Sequence, residues 1–169
     1  EQWLVLGGKA ALDRLALGKD RRCRCVAHGA GRDLLDEDAT HALLAERPWA
    51  AVVLAEGLTE DASDVDVLTM ALHLTRAAAR DAPKAVPLVF VTFGAQPLAS
   101  ELDEARKSGS PKHSGLWGYA RAVRMEYPGT LRVSCLDLDP SKGEALGAEL
   151  ARALPSHCAG DEEEVALRG

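Results

Sequence analysis

Short apolar runs alternate along the chain with longer stretches of helical periodicity. Trp3-Leu-Val-Leu6 is a brief apolar run closed by Gly7-Gly8, and residues 10–17 then carry the Ala/Leu spacing of a helix that stops at Gly18. Residues 23–28 read as a second strand, and 36–46 as a helix with acids in its first turn, ending before Pro48. Ala50-Ala-Val-Val-Leu-Ala55 has no polar face and reads as a buried strand. After an acidic loop ending in a cap at Ser63, the pattern predicts a long helix over 65–80, with Val65, Leu68 and Leu72 as its apolar stripe. A fourth strand covers 86–92, with Pro87 tolerable only near its first residue. A polar loop follows over 99–113, containing Lys107-Ser-Gly-Ser-Pro111, the stretch of the chain with the strongest loop composition. Leu116, Ala120, Val123 and Tyr127 then fall at helical spacing over 114–126, stopped by Pro128-Gly129. In the fifth strand, 131–138, Leu131, Val133 and Cys135 point inward; a helix over 141–154 and a short sixth strand over 163–167 complete the pattern.

Fully apolar strands joined by helix-length crossovers mean a parallel sheet covered on both faces. The expected fold is therefore a doubly wound, mainly parallel, Rossmann-like α/β sheet of five or six strands. At 169 residues the chain has the size of one such domain, and residues 1–169 are read as a single unit. Twenty basic against 26 acidic residues give a net charge of -6, and aromatics are 4% of the chain, so it offers neither a basic footprint for phosphates nor a stacking platform for bases. Nucleic acid is not an expected partner. Apolar runs fall far short of the roughly 20 residues a spanning helix needs, so no membrane is expected either. Cys23, Cys25, Cys135 and Cys158 lack the spacing of a zinc or redox pair and are read as free thiols, with Cys23 and Cys25 on one strand face. With no leader at Glu1-Gln2-Trp3 the cytoplasm is the expected compartment. The absence of Met and the immediate strand suggest a piece of a longer chain.

The chemistry this fold commonly carries requires residues at fixed positions. A dinucleotide site needs glycines where the first strand turns into the first helix, so that a diphosphate can approach backbone N–H groups without Cβ atoms intervening. In Gly7-Gly-Lys-Ala-Ala-Leu-Asp13 the required later glycines fall at Ala11, Leu12 or Asp13 in every register, and Asp13 would set a carboxylate against the diphosphate. A reductase also needs a Tyr followed four residues later by a Lys whose ammonium lowers the phenol pKa, but Tyr119 is followed by Val123 and Tyr127 by Leu131. No nucleophile elbow is present, and the five histidines, His28, His41, His73, His113 and His157, share no ligand spacing. A phosphoacceptor arrangement of Glu56, Thr92 and Lys142 lacks the acidic pair that would hold Mg²⁺ after the first strand. The sequence therefore assigns no catalytic, cofactor-binding or metal-binding residue.

The stretch Ser114-Gly-Leu-Trp-Gly-Tyr-Ala-Arg-Ala-Val-Arg-Met-Glu-Tyr-Pro-Gly129, followed by Leu131-Arg-Val-Ser-Cys-Leu-Asp-Leu-Asp139, resembles the ketoreductase region of modular polyketide synthases and the matching part of animal fatty acid synthases. Trp117-Gly118, Arg121, Glu126 with Pro128, and Asp137-Leu138 match that pattern. Val89-Phe-Val-Thr-Phe-Gly-Ala95 is similar to the family's strand ending in Val-Thr-x-Gly-Ala, and 163–169 to its acidic "Ala-x-Arg" strand. The chain departs from common modules at Tyr119-Ala120 and in the extended loop 97–113.

The resemblance implies a ketoreductase of two Rossmann-like halves, of which this chain is the N-terminal, noncatalytic structural one, related to short-chain dehydrogenases but lacking the glycine loop. NADPH, the catalytic Tyr, Ser and Lys, and the reduction of a carrier-bound β-ketoacyl group would belong to the following half in the same polypeptide. That half is the implied partner, with an acyl carrier domain as a further candidate. The alternatives are an oxidoreductase with a degenerate NAD(P) site, and a stand-alone pseudoreductase or docking module. On the scaffold reading Trp117 fills the space between helix and sheet, Gly118 permits close approach, and Arg121 holds a carboxylate.

Overall fold

The computed structural model describes residues 2–17, 20–29, 33–46, 48–59, 61–80, 86–97 and 111–168. Six strands form one sheet: β1 (Trp3–Gly7), β2 (Cys23–Ala27), β3 (Ala51–Leu54), β4 (Leu88–Phe93), β5 (Val133–Leu138) and β6 (Glu164–Ala166). Every neighbouring pair is parallel, in the order β2-β1-β3-β4-β5-β6. This is the doubly wound Rossmann-like α/β sheet the pattern predicts, with strand ends shifted by at most two residues. Pro87 lies just before β4, and its carbonyl accepts the Val52 N–H at 2.8 Å.

Alternation along the strands splits the core in two. Leu4, Leu6, Val52, Leu54, Leu88, Phe90, Val133 and Cys135 point to one face, beneath α2 (Glu37–Ala45), α3 (Asp64–Arg80) and α4 (Gly115–Glu126). Trp3, Val5, Val53, Val89, Val91, Leu136 and Leu138 point to the other, beneath α1 (Lys9–Leu15) and α5 (Leu146–Ala159). Among the described residues the second layer has two α-helices, and they cross very closely: a Cβ on Gly147 would lie 1.6 Å from the Leu15 carbonyl oxygen. The α1 helix ends at Ala16, which takes a left-handed conformation (φ 50°) and donates to Leu12 and Asp13 carbonyls. At α2 the Asp36 side chain caps the Ala39 N–H at 2.8 Å.

Two expectations shift. The buried stripe of α3 is Val67, Met70, Ala71, Leu74 and Ala78, whereas Val65 is 70% exposed and Leu68 and Leu72 are half-buried. The helix carries two apolar stripes about a third of a turn apart, and the inner one meets the sheet because Ala71, Ala77 and Ala78 let it approach closely. The helix expected over 141–154 is a 3-10 stretch, Pro140–Ala145, followed by α5, which runs through Pro155 to Ala159. Most of the expected loop over 99–113 lies outside the described residues.

Candidate functional site

In a doubly wound sheet ligands bind beyond the carboxyl ends of the strands where the strand order reverses. Here that point lies between β1 and β3, because β2 is laid down on one side of β1 and β3 on the other. The residues at this crevice are Gly7 and Gly8 from β1 and Ala55 and Glu56 from β3. Gly8 is the residue before α1 and presents a backbone N–H to the crevice. That N–H donates to the Glu56 carboxylate, which is itself buried. A Cβ on Gly8 would lie 3.1 Å from each Glu56 carboxylate oxygen, so the glycine leaves room for the acid and not for a ligand. A carboxylate held there occupies a donor that phosphate oxygens would need and repels them.

Asp13, which the sequence spacing sets against a diphosphate, is placed differently. Its carboxylate is largely exposed on α1 and pairs with Lys9 one turn earlier. The obstructing acid is Glu56, 48 residues away from Gly8 in sequence. A hint of it lay in the sequence only as an acid immediately after a fully apolar strand.

The motif residues of β4, β5, α4 and the chain end converge at a second point. Asp137, with 0% exposure, accepts the Thr92 hydroxyl at 2.7 Å, the Ala95 N–H at 2.9 Å and the Gln96 N–H at 3.0 Å. It also forms a 2.6 Å ion pair with Arg168. The same guanidinium donates to the Gln96 carbonyl at 2.7 Å and the Leu167 carbonyl at 2.6 Å. Trp117, buried between α4 and the sheet, donates its indole N–H to the Thr92 hydroxyl at 3.1 Å. Thr92, Asp137, Trp117 and Arg168 thus form one network in which the loop after β4, strand β5 and the residues after β6 are tied together, with the buried Arg168 Nε left unbonded. Gly118 is exposed, and a Cβ there would meet nothing within 4 Å, so it does not serve close approach. Arg121 does hold a carboxylate: it meets Glu164 through two bonds of 2.7 and 2.6 Å. Arg124 joins that pair at 2.6 Å and reaches Glu163 at 2.9 Å. The Arg121 guanidinium, with Arg124, holds the Glu164 carboxyl below the usual carboxylate range.

The remaining titratable groups are engaged in packing. Tyr119 lies against Phe90, ring centroids 6.1 Å apart, and burial pushes its phenol pKa up, the wrong direction for a proton donor to a ketone. Burial likewise pushes the Cys135 thiol up to about 12 and Cys23 to about 11, while Cys25 and Cys158 rise for the same reason. The four thiols are free, and Cys23 and Cys25 both pack on the α1/α5 side of the sheet. His113 sits with Nδ1 2.7 Å from the Asp64 carboxylate and Nε2 2.9 Å from the Thr59 carbonyl; His157 Nε2 is 2.8 Å from the Ser134 hydroxyl. Among the described residues no three His, Cys, Asp or Glu side chains gather as metal ligands would, and no helix is long and apolar enough to cross a membrane.

Comparison with known proteins places this geometry in a family. No curated protein matches the chain. Among solved structures, A-type ketoreductases from a modular polyketide synthase superpose with a TM-score of 0.65 at 26% identity. The match covers 99% of this chain and 36% of that one, so the chain spans about a third of the ketoreductase it resembles. A short-chain dehydrogenase from Burkholderia cenocepacia J2315, solved with NADP, shares the fold at 12% identity and a TM-score of 0.58, over 100% of this chain and 89% of its own. One from Streptomyces avermitilis does so at 13% identity and a TM-score of 0.52, with the same coverage. The family model described as "Polyketide synthase extender module SpnB, Rossmann fold domain" matches residues 4–169, and the chain belongs to that family of polyketide synthase, ketoreductase-like Rossmann domains.

Proposed function

We propose that this chain is the noncatalytic structural half of a polyketide synthase ketoreductase. It braces a following half that binds NADPH and reduces a carrier-bound β-ketoacyl group. The observation that carries this reading is Glu56: the crevice where a Rossmann sheet would take a dinucleotide is filled by the chain's own carboxylate, bonded to the Gly8 N–H. The family-like residues Thr92, Trp117, Asp137 and Arg168 support it, since they bond one another within the fold. We place the contact with the partner half on α3 and α4. Val65 on α3 and Met125 on α4 are 70% and 83% exposed, and Leu68 and Leu72 on α3 are half-buried.

Calorimetric titration of this chain with NADPH tests the reading. No heat is expected; a micromolar dissociation constant, worth about 8 kcal/mol, requires a phosphate site and would make the chain a cofactor-binding oxidoreductase.

A further inference from the structure

The edge of the sheet at β6 has the shape of an incomplete ladder. The Cys135 N–H donates to the Glu163 carbonyl and the Leu167 N–H to the Asp137 carbonyl, both at 2.8 Å. Strand alternation therefore turns the backbone N–H and C=O of Glu164 and Ala166 away from β5, and among the described residues no strand pairs with them. A groove lies along each face of this edge. On the α5 side Leu136, Ala153, Val165 and Leu167 line a mainly apolar one whose lining also includes Asp161 and Glu162. On the α4 side Arg124 and residues 161–166 line a charged one. Two grooves flanking one edge are the spaces that the two side-chain rows of an added strand would fill.

The charge around the edge selects what fits. Residues 161–164 are Asp-Glu-Glu-Glu; Arg121 and Arg124 pair with Glu163 and Glu164 and Arg132 donates to the neighbouring Gly160 carbonyl, so three positive charges stand against four negative. A second copy of this chain, paired edge to edge about a twofold axis, would run antiparallel and set its own Glu164 beside the charged groove, where negative charge is already in excess. An extended segment with alternating apolar and basic residues meets both faces: apolar side chains in the Leu136/Val165/Leu167 groove, lysine or arginine beside Glu162 and Glu163.

We propose that the outer edge of β6 receives such a strand from the part of the reductase polypeptide outside this chain. The ketoreductase resembling this chain extends well beyond the 36% matched here, so a reductase of this kind has the polypeptide to supply it. The inference rests on the structural-half reading above, and adds the edge as a second contact besides the α3/α4 face. Main-chain bonds to Glu164 and Ala166 give the attachment, and the two grooves give the selectivity.

Amide hydrogen exchange read at single residues tests it, with this chain by itself compared with the same residues in the reductase polypeptide that carries it. In the chain alone the Val165 and Leu167 amides are protected by β5 and those of Glu164 and Ala166 exchange freely. In the longer polypeptide Glu164 and Ala166 are expected to slow by about tenfold or more, as newly bonded amides do. Protection of the Val65 and Met125 regions with Glu164 and Ala166 still fast would overturn the edge proposal and leave the structural-half reading standing. Protection of neither would remove both. Ala166→Pro supplies a second measurement, because its missing N–H points away from β5 and leaves the existing ladder intact. Supplied separately from its partner half, the variant is expected to bind that half about tenfold more weakly than wild type, and equal binding refutes the edge as the contact.

Discussion

The two places where a carboxylate meets backbone N–H groups at the carboxyl end of this sheet differ in what each holds together. At the β1/β3 crevice Glu56 serves one N–H, that of Gly8. At the β4/β5 end Asp137 serves a hydroxyl, two N–H groups and a guanidinium. The first fills a space that related folds leave for a ligand. The second joins three segments that are far apart in sequence. A Rossmann-like sheet has crevices at the ends of its strands, and buried polar groups lining them must find partners. The difference is one of degree: a single contact can be lost locally, whereas a shared hub cannot.

The largest effect is therefore expected at Asp137. Asp137→Ala leaves Arg168 without its counter-ion and strands the Ala95 and Gln96 N–H groups, and breaking a buried pair in this way costs about 3–5 kcal/mol. Urea unfolding of wild type and variant measures it; a loss under 1 kcal/mol would mean that water replaces the carboxylate and that the hub is not a hub. Glu56→Ala removes a single bond from a charged acceptor and is expected to cost about 1.5–3 kcal/mol by the same measurement. A cost equal to that of Asp137→Ala would erase the contrast between the two regions.

Trp117 sharpens the comparison within the hub. Trp117→Phe keeps most of the apolar area between α4 and the sheet but loses the indole N–H bonded to Thr92, so about 1 kcal/mol is expected. Trp117→Ala, which also opens a cavity, should cost about 3–5 kcal/mol. Near-equal losses for the two variants would place the importance of Trp117 in its hydrogen bond and not in its bulk.

The alternation of apolar runs and helical periodicity made the sheet legible, because the buried strands β1 and β3 carry no polar side chain and β4 only Thr92. Leu131, Val133 and Cys135 face the α2/α3/α4 layer as their spacing requires. What the pattern misjudged were choices between near-equal local options. On α3 two apolar stripes compete, and only the sheet's position selects Val67 and Leu74 over Val65 and Leu72. Gly118 reads as a close-packing glycine from its place beside Trp117, yet the turn of the helix carries it to the exposed side. The crevice was legible as a failed glycine loop, but its occupant was not. Glu56 reaches Gly8 only because β3 lies beside β1, and that adjacency is a property of strand order, not of spacing along the chain. The hub was legible as a set of motif residues and illegible as a network for the same reason.

The smallest expected effect lies in the pH dependence of stability, and it separates the hub from its surroundings on the α5 side. His157 is buried against Ser134, and burial, with Arg132 nearby, pushes its pKa below the ordinary histidine value of about 6.5. The folded state thus binds the proton less readily than the unfolded chain does. Stability is full where both states are neutral, above about pH 6.5, and is lost as pH falls through that value toward the lower folded-state pKa. Glu164 acts in a separate window. Its carboxyl is held below the ordinary value of about 4.3, so its contribution is present above that pH and is lost as the medium becomes more acidic. Urea midpoints taken between pH 7.5 and 5 should therefore decline in wild type. In His157→Gln, which retains a side chain able to bond Ser134 but cannot titrate, the curve should be flat over that interval and the decline below about pH 4.5 should persist. An unchanged slope between pH 7.5 and 5 in the variant would assign the loss to another group and remove His157 from the account.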